Sequence, residues 1–183
     1  MGRILVTGGV RSGKSRYAEG RLDASAPALY LTPGYPADPT VDAEWAARVT
    51  AHRSRRPAGW RTVETLALAE HIAAADPPVL VDCLGTWLTR LLDEWQAWDA
   101  PTTEWQPRLA SEIDALAAAV AGCPDVVLVT NEVGWGLVSQ YRSGRVFADQ
   151  LGRINQAIGA VCDEVVLMVA GRPLRLPGQE PSR

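Results

Sequence analysis

The 183-residue chain is long enough for one domain with a sizeable core and short for two. Its 47% hydrophobic and 21% charged residues are typical of a soluble globular protein. The 18 basic and 21 acidic residues give a net charge of -3, which excludes a broad attraction to nucleic acid or an anionic membrane. Any anion binding must therefore be local. No apolar run approaches the roughly 18 residues of a membrane span, and no signal-peptide pattern is present, so we expect a cytoplasmic protein with three reduced cysteines.

Short apolar runs alternate with helix-compatible segments along the whole chain. We predict strands over residues 3–7, 28–32, 60–64, 79–83, 126–130, 164–169 and 174–176. We predict helices over 14–22, 42–52 with Asp42 as N-cap, 66–75, 87–95, 109–121 and 145–161. The proline-containing segment 99–107 predicts a loop, and 177–183 a disordered tail. This alternation predicts an α/β fold, residues 1–176 forming one domain around a mainly parallel sheet with helices on both faces.

The segment from Gly8 to Ser15 reads G-G-V-R-S-G-K-S and fits the phosphate-binding pattern G-x-x-x-x-G-K-[ST]. It follows the first predicted strand and opens a helix, as the mechanism requires, because glycines let backbone N–H groups turn toward phosphate oxygens. Lys14 is the only lysine in the chain. A slim ammonium reaches the β- and γ-phosphates where a planar guanidinium fits poorly. The sequence therefore predicts a site for the triphosphate of ATP or GTP.

A phosphate loop of this kind holds Mg²⁺ through its Ser15 hydroxyl and an acid at the end of a hydrophobic strand. Asp82, which closes the predicted strand at 79–83, is the best candidate. It could also be a helix N-cap or a surface carboxylate. Glu132, after the strand at 126–130, is a rival acid.

His52 is followed immediately by Arg53, Arg55 and Arg56. A neutral imidazole is a nucleophile, and arginines stabilise the negative charge that builds on a phosphate under attack. By themselves these residues fit a solvated basic turn with an incidental histidine better. His71, the other histidine, has no informative neighbours.

From residue 4 to about 176 the chain resembles the bifunctional adenosylcobinamide kinase / adenosylcobinamide-phosphate guanylyltransferase family of cobalamin biosynthesis. The segments that carry this resemblance extend well beyond the phosphate loop. They are Ile4 to Arg16, Ala18-Glu19, His52-Arg53, Arg56-Pro57, Trp60 to Thr62, Asp82 to Leu84, Asn131 to Gly134, Gly152-Arg153, Asn155-Gln156 and Val169 to Gly171.

The resemblance implies a P-loop NTPase with a RecA-like sheet that works in two steps. First, the γ-phosphate of ATP or GTP passes to the aminopropanol hydroxyl of adenosylcobinamide. Second, a histidine takes GMP from GTP and passes it to adenosylcobinamide phosphate, giving adenosylcobinamide-GDP. His52 matches the position of that histidine, which makes His52 and Lys14 the predicted catalytic residues. The resemblance also implies a homo-oligomer, typically a trimer.

The nucleotide contacts implied by the resemblance fall on the phosphate loop, the loop after the second strand, the basic turn and two acids. They are Gly8, Gly9, Val10, Arg11, Ser12, Gly13, Lys14, Ser15, Pro33, Gly34, Arg53, Ser54, Arg55, Arg56, Glu64 and Asp82.

Two other functions remain open. One is a P-loop kinase for a small molecule in which His52 merely binds phosphate. The other, a GTP-binding switch, is disfavoured because no Asn-Lys-x-Asp guanine-specificity segment is present.

Overall fold

Strands and helices alternate along the part of the chain that the computed structural model describes, residues 1–178. The strands are β1 (Gly2–Gly8), β2 (Ala28–Thr32), β3 (Trp60–Glu64), β4 (Val79–Asp82), β5 (Asp125–Val129), β6 (Glu164–Val169) and β7 (Arg172–Leu176). The helices are α1 (Lys14–Glu19), α2 (Ala43–Arg53), α3 (Leu68–Ala73), α4 (Leu84–Glu94), α5 (Thr102–Gly122) and α6 (Arg142–Val161). Among these helices, none combines the length and the apolar character that a bilayer crossing requires. Residues 179–183 of the predicted tail lie outside the described residues.

The seven strands form one sheet in the order β3-β2-β4-β5-β1-β6-β7. All neighbouring pairs are parallel except β6 and β7, which are antiparallel. The carboxyl ends of β1 to β6 therefore lie along one edge of the sheet, and the loops that carry predicted site residues leave from that edge.

Alternate residues of each central strand belong to two separate buried clusters. Leu5, Leu29 and Leu128 pack with helices α3 to α6 on one face. Ile4 and Tyr30 pack with Ala18 of α1 on the other. Because successive side chains of a strand point to opposite faces, an uninterrupted apolar strand is buried on both. The prediction of a mainly parallel sheet with helices on both faces is confirmed.

The predicted loop at 99–107 is wrong, because α5 begins at Thr102. Trp105 and Leu109 lie four residues apart, on one helical face, and both are buried in the core. Pro107 lies on the exposed side of this helix. Burial of the apolar face therefore outweighs the helix-breaking tendency of the proline.

A tight turn joins β6 to β7, and Ala170 and Gly171 both have positive φ there, 50° and 77°. The strand β7 therefore begins at Arg172, two residues before the predicted strand at 174–176. The Gly171 N–H donates to the Ser12 carbonyl at 3.0 Å. The hairpin thus braces the loop that joins β1 to α1.

We expect Pro107→Ala to stabilise the protein by about 1 to 2 kcal/mol, because it restores a helical N–H and removes a ring that crowds the preceding turn. Urea unfolding followed by circular dichroism measures this change. Ser111→Ala, also exposed on α5, is the matched control and should change stability by no more than about 0.5 kcal/mol. A less stable Pro107→Ala variant would show that the proline fits this helix without cost.

Gly8, at the end of β1, has φ 144°, and a Cβ there would lie 2.5 Å from the Met168 carbonyl oxygen. We expect Gly8→Ala to cost roughly 2 to 4 kcal/mol of stability in the nucleotide-free protein, because the backbone of β6 must move. Gly9→Ala is the control, since a Cβ at Gly9 meets nothing within 4 Å. Equal unfolding midpoints for the two variants would contradict this account.

Candidate active site

A cavity of about 770 Å³ opens at the carboxyl edge of the sheet. It brings together most of the predicted site residues, which come from the phosphate loop, α2, the basic turn, β3 and β4. Those that line it are Val10, Arg11, Ser12, Gly13, Lys14, Ser15, Gly34, His52, Arg53, Arg55, Arg56, Glu64 and Asp82. Gly8, Gly9, Pro33 and Ser54 are not among its lining residues.

The phosphate loop is a tight turn held by backbone hydrogen bonds. Arg11 and Gly13 have positive φ, 57° and 96°, and the Ser12 N–H donates to the Gly9 carbonyl at 3.3 Å. Within the described residues, the buried Ser12 hydroxyl has no hydrogen-bond partner. A buried polar atom without a partner is costly, and a phosphate oxygen in the cavity would satisfy it.

Lys14 is only 8% exposed, although its side chain carries a charge. Its Nζ donates to the Gly9 carbonyl at 2.7 Å. Burial lowers the pKa of Lys14, while the negative charge of Asp82 opposes that effect. A bound polyphosphate would favour the charged form further, so the ammonium is suited to an anionic ligand.

Asp82 lies at the end of β4 with most of its side chain buried. Its Oδ2 accepts a hydrogen bond from the Tyr30 hydroxyl at 3.0 Å, and burial raises the pKa of Tyr30, so the hydroxyl stays a donor. The same Oδ2 lies 3.7 Å from Nδ1 of His52. Oδ1 makes no hydrogen bond to any described residue and is free for another ligand.

Ser15 and Asp82 both line the cavity, whereas the rival acid Glu132 does not. Within residues 1–178, no group of three or more His, Cys, Asp or Glu side chains is placed to hold a metal ion. A sparse oxygen set fits Mg²⁺, which usually binds one or two protein oxygens, substrate phosphates and several waters. The chemistry of these donors therefore fits Mg²⁺ bound together with a nucleotide.

His52 lies in the last turn of α2, with 35% of its side chain exposed. The helix begins at the predicted N-cap, where the Asp42 carboxylate accepts a hydrogen bond from the Trp45 N–H at 2.9 Å. Trp45, Val49 and His52 share a helical face, and all three line the cavity. Among the residues of α2, which are all described, Ala46 alone is buried. Apolar packing thus contributes little to holding this helix on the sheet.

The basic turn is tied to the fold by ion pairs, although the side chains of Arg53 and Arg55 stay partly exposed. Arg53 pairs with Glu64, and Arg55 pairs with Glu19 of α1 at 3.4 Å. These two ion pairs bridge the end of α2 to β3 and α1.

Arg56 makes a third connection from the basic turn to the sheet. Its guanidinium carbon lies 3.7 Å from the centroid of the Tyr30 ring, and its Nη1 donates to the Thr62 hydroxyl at 3.0 Å. The three arginines therefore present ordered positive charge to the cavity.

Sequence reasoning did not assign a role to several other lining residues: Tyr35, Arg48, Cys83, Thr86 and Asn131. In the loop after β2 the predicted contacts were Pro33 and Gly34, of which Gly34 lines the cavity. A Cβ at Gly34 would lie 2.9 Å from the Trp45 ring, and the Trp45 Nε1–H donates to the Tyr35 carbonyl at 2.9 Å. This loop is thus packed against α2 and forms a wall of the cavity.

A comparison with solved structures finds the P4 protein from bacteriophage phi6 in complex with ADP. The similarity has a TM-score of 0.47 and 16% sequence identity, and it covers 94% of this chain and 54% of that one.

Comparisons of sequence find much closer relatives. The bifunctional adenosylcobalamin biosynthesis protein CobU of Escherichia coli strain K12 is 42% identical over 178 residues, which cover 92% of this chain and 96% of the relative. The bifunctional adenosylcobalamin biosynthesis protein CobP of Pseudomonas aeruginosa is 42% identical over 183 residues, covering 97% and 98%.

The family described as "Cobinamide kinase / cobinamide phosphate guanyltransferase" matches residues 4–176. This match confirms the resemblance stated from the sequence. With the family match and these relatives spanning nearly the whole chain, the protein belongs to the cobinamide kinase / cobinamide phosphate guanyltransferase family.

Proposed function

We propose that this protein phosphorylates adenosylcobinamide with ATP or GTP and then transfers GMP from GTP to the product, giving adenosylcobinamide-GDP. The observation that carries the proposal is a single cavity lined by both Lys14 and His52. Lys14 supplies the positive charge that phosphoryl transfer needs at the β- and γ-phosphates, and His52 supplies a nucleophile for nucleotidyl transfer. Membership of the family supports both halves.

In the kinase half, the phosphate loop and Lys14 hold the triphosphate of the donor. The acceptor oxygen forms a bond to the γ-phosphorus and gives up its proton to water, while the bond from that phosphorus to the β,γ-bridging oxygen breaks. Lys14 stabilises the charge on the β- and γ-oxygens. Mg²⁺ bound at Ser15 and Asp82 would neutralise more of this charge.

In the guanylyltransferase half, Nε2 of His52 attacks the α-phosphorus of GTP, and pyrophosphate leaves. The Nδ1 atom faces Asp82 at 3.7 Å. A carboxylate at that nitrogen favours the tautomer with the proton on Nδ1, which leaves the Nε2 lone pair for attack. Arg53, Arg55 and Arg56 then stabilise the charge on the attacked phosphate.

We also propose that the protein forms a homo-oligomer in the cytoplasm. The resemblance to the family supports this assembly, which is typically a trimer. Cys83, Cys123 and Cys162 are free thiols, which suits the reducing environment of the cytoplasm.

A second candidate is a P-loop kinase without nucleotidyl transfer, in which His52 only contacts phosphate. The partial exposure of His52 fits a phosphate-binding role as well as it fits a nucleophilic one. The two candidates differ in one observable, a covalent GMP on the protein.

We expect GTP labelled at the α-phosphate to leave acid-labile, alkali-stable label on the protein, because a phosphoramidate at histidine has that stability. The label should disappear in His52→Asn and persist in His71→Asn, the control that removes the other histidine. Intact-mass spectra before and after GTP treatment measure the added GMP. A wild-type protein without label, or equal labelling of His52→Asn, would leave the simpler kinase as the function.

We expect Lys14→Ala to lower kcat/KM for γ-phosphate transfer by about a thousandfold, which corresponds to roughly 4 kcal/mol of transition-state stabilisation. Lys14→Arg should recover little of this loss, because a guanidinium does not fit the turn. Arg108→Ala, whose side chain lies over the Trp95 ring, removes a remote charge and serves as the control. Undamaged transfer by Lys14→Ala would show that the phosphate loop is wrongly assigned.

A further inference from the structure

The segment 133–141, between β5 and α6, exposes most of its apolar side chains. We name it the apolar loop. Trp135 is 74% exposed and Leu137 is 101% exposed. The other exposed apolar residues of the loop are Val133, Val138 and Tyr141. The sequence V-G-W-G-L-V-S-Q-Y contains no charged residue. A concentration of exposed apolar residues this dense usually marks a binding surface.

The apolar loop starts at the wall of the active-site cavity. Asn131, just before it, lines the cavity, and the Glu132 N–H donates to the Gly8 carbonyl at 3.2 Å. Because β5 and β1 are neighbours in the sheet, the apolar loop and the phosphate loop leave adjacent strands at the same edge.

The two ends of the apolar loop are fixed by side-chain hydrogen bonds. Nδ2 of Asn155 donates to the Asn131 carbonyl at 3.0 Å. Nη1 of Arg145 donates to the Ser139 carbonyl at 2.8 Å and to the Gln140 carbonyl at 2.9 Å. The apolar side chains are thus presented by a braced segment, which reduces the entropy lost when a ligand binds.

We propose that the apolar loop is the docking surface for the corrin ring of the acceptor, an inference that rests on the proposed function. The acceptor hydroxyl must reach the γ-phosphate at the phosphate loop, so the bulky ring attached to it must lie just outside the cavity. The faces of a corrin ring are apolar and its rim carries neutral amides. The apolar loop offers matching chemistry, with Trp135 and Leu137 for the ring and Ser139 and Gln140 for the amides.

The other apolar residues exposed along the sheet provide a matched control. Leu174 and Leu176 of β7 are exposed at the edge of the sheet, and β1 and β6 separate β7 from β5. The double variant Leu174→Ser/Leu176→Ser therefore makes the same kind of change, two exposed apolar residues to serine, away from the apolar loop, although its leucines are less exposed.

Equilibrium dialysis with cobinamide compares Trp135→Ser/Leu137→Ser with the control double variant and the wild type. We expect the Kd for cobinamide to rise at least about tenfold in the apolar-loop variant, since two large apolar side chains lose their burial against the ligand. The control should stay within about twofold of the wild type. The KM for ATP and the GMP label formed on His52 without cobinamide should not change in either variant.

An unchanged Kd in the apolar-loop variant would overturn the inference. So would a lighter assembly of that variant in sedimentation velocity, because the surface would then belong to a second copy of the chain. Wild-type protein that binds cobinamide but transfers no phosphate would refute the proposed function alone, and the Kd comparison would still decide the docking surface. Wild-type protein that binds no cobinamide would overturn both.

Discussion

The contact of Asp82 with Tyr30 and His52 fixes the position of His52, the proposed nucleophile of this site. Tyr30 is a fully buried residue of β2, and its hydroxyl fixes one oxygen of Asp82, which ends the neighbouring strand β4. That oxygen faces the imidazole across 3.7 Å. Because α2 buries little apolar surface, the position of His52 depends on this polar contact and on the ion pairs of Arg53 and Arg55. Ion pairs hold a helix more weakly than a packed core does. An anion that enters between the paired groups weakens them further.

The phosphate loop, in contrast, is held by backbone hydrogen bonds. Its carbonyls at Gly8 and Ser12 accept N–H groups from Glu132 and Gly171, so segments after β5 and β6 support it from the side of the sheet. Gly8 must lack a side chain for β1 to approach the Met168 carbonyl so closely. Rigid support suits a cradle whose N–H groups must already point at a phosphate when it arrives.

Local patterns were enough to predict β2, β3 and β6 with the residues that the structure shows, and the Asp42 cap at the start of α2. They failed at 99–107, where prolines suggested a loop and only the burial of Trp105 reveals the helix. The pattern of Gly8 to Ser15 predicts a phosphate cradle from adjacent residues alone, and the structure shows a tight turn over the same segment. Arg56 over Tyr30 could not be predicted, because these residues come from distant segments and meet only through the pairing of β2 with β3. The contact of His52 with Asp82 could not be predicted either, because it forms only when the end of α2 lies next to the end of β4.

In the proposed two-step reaction, one buried ammonium serves both transfers. When the γ-phosphoryl group leaves ATP or GTP, negative charge grows on the β-phosphate and its bridging oxygen. When His52 takes GMP from GTP, the leaving pyrophosphate is built from the same β- and γ-phosphates. A single lysine fixed at the β- and γ-oxygens therefore stabilises the leaving group in each step. The sites of attack differ, γ in one case and α in the other, so the second chemistry needs only a nucleophile at the α-phosphorus. A histidine held at the rim of the same cavity meets that need without a second phosphate-binding site.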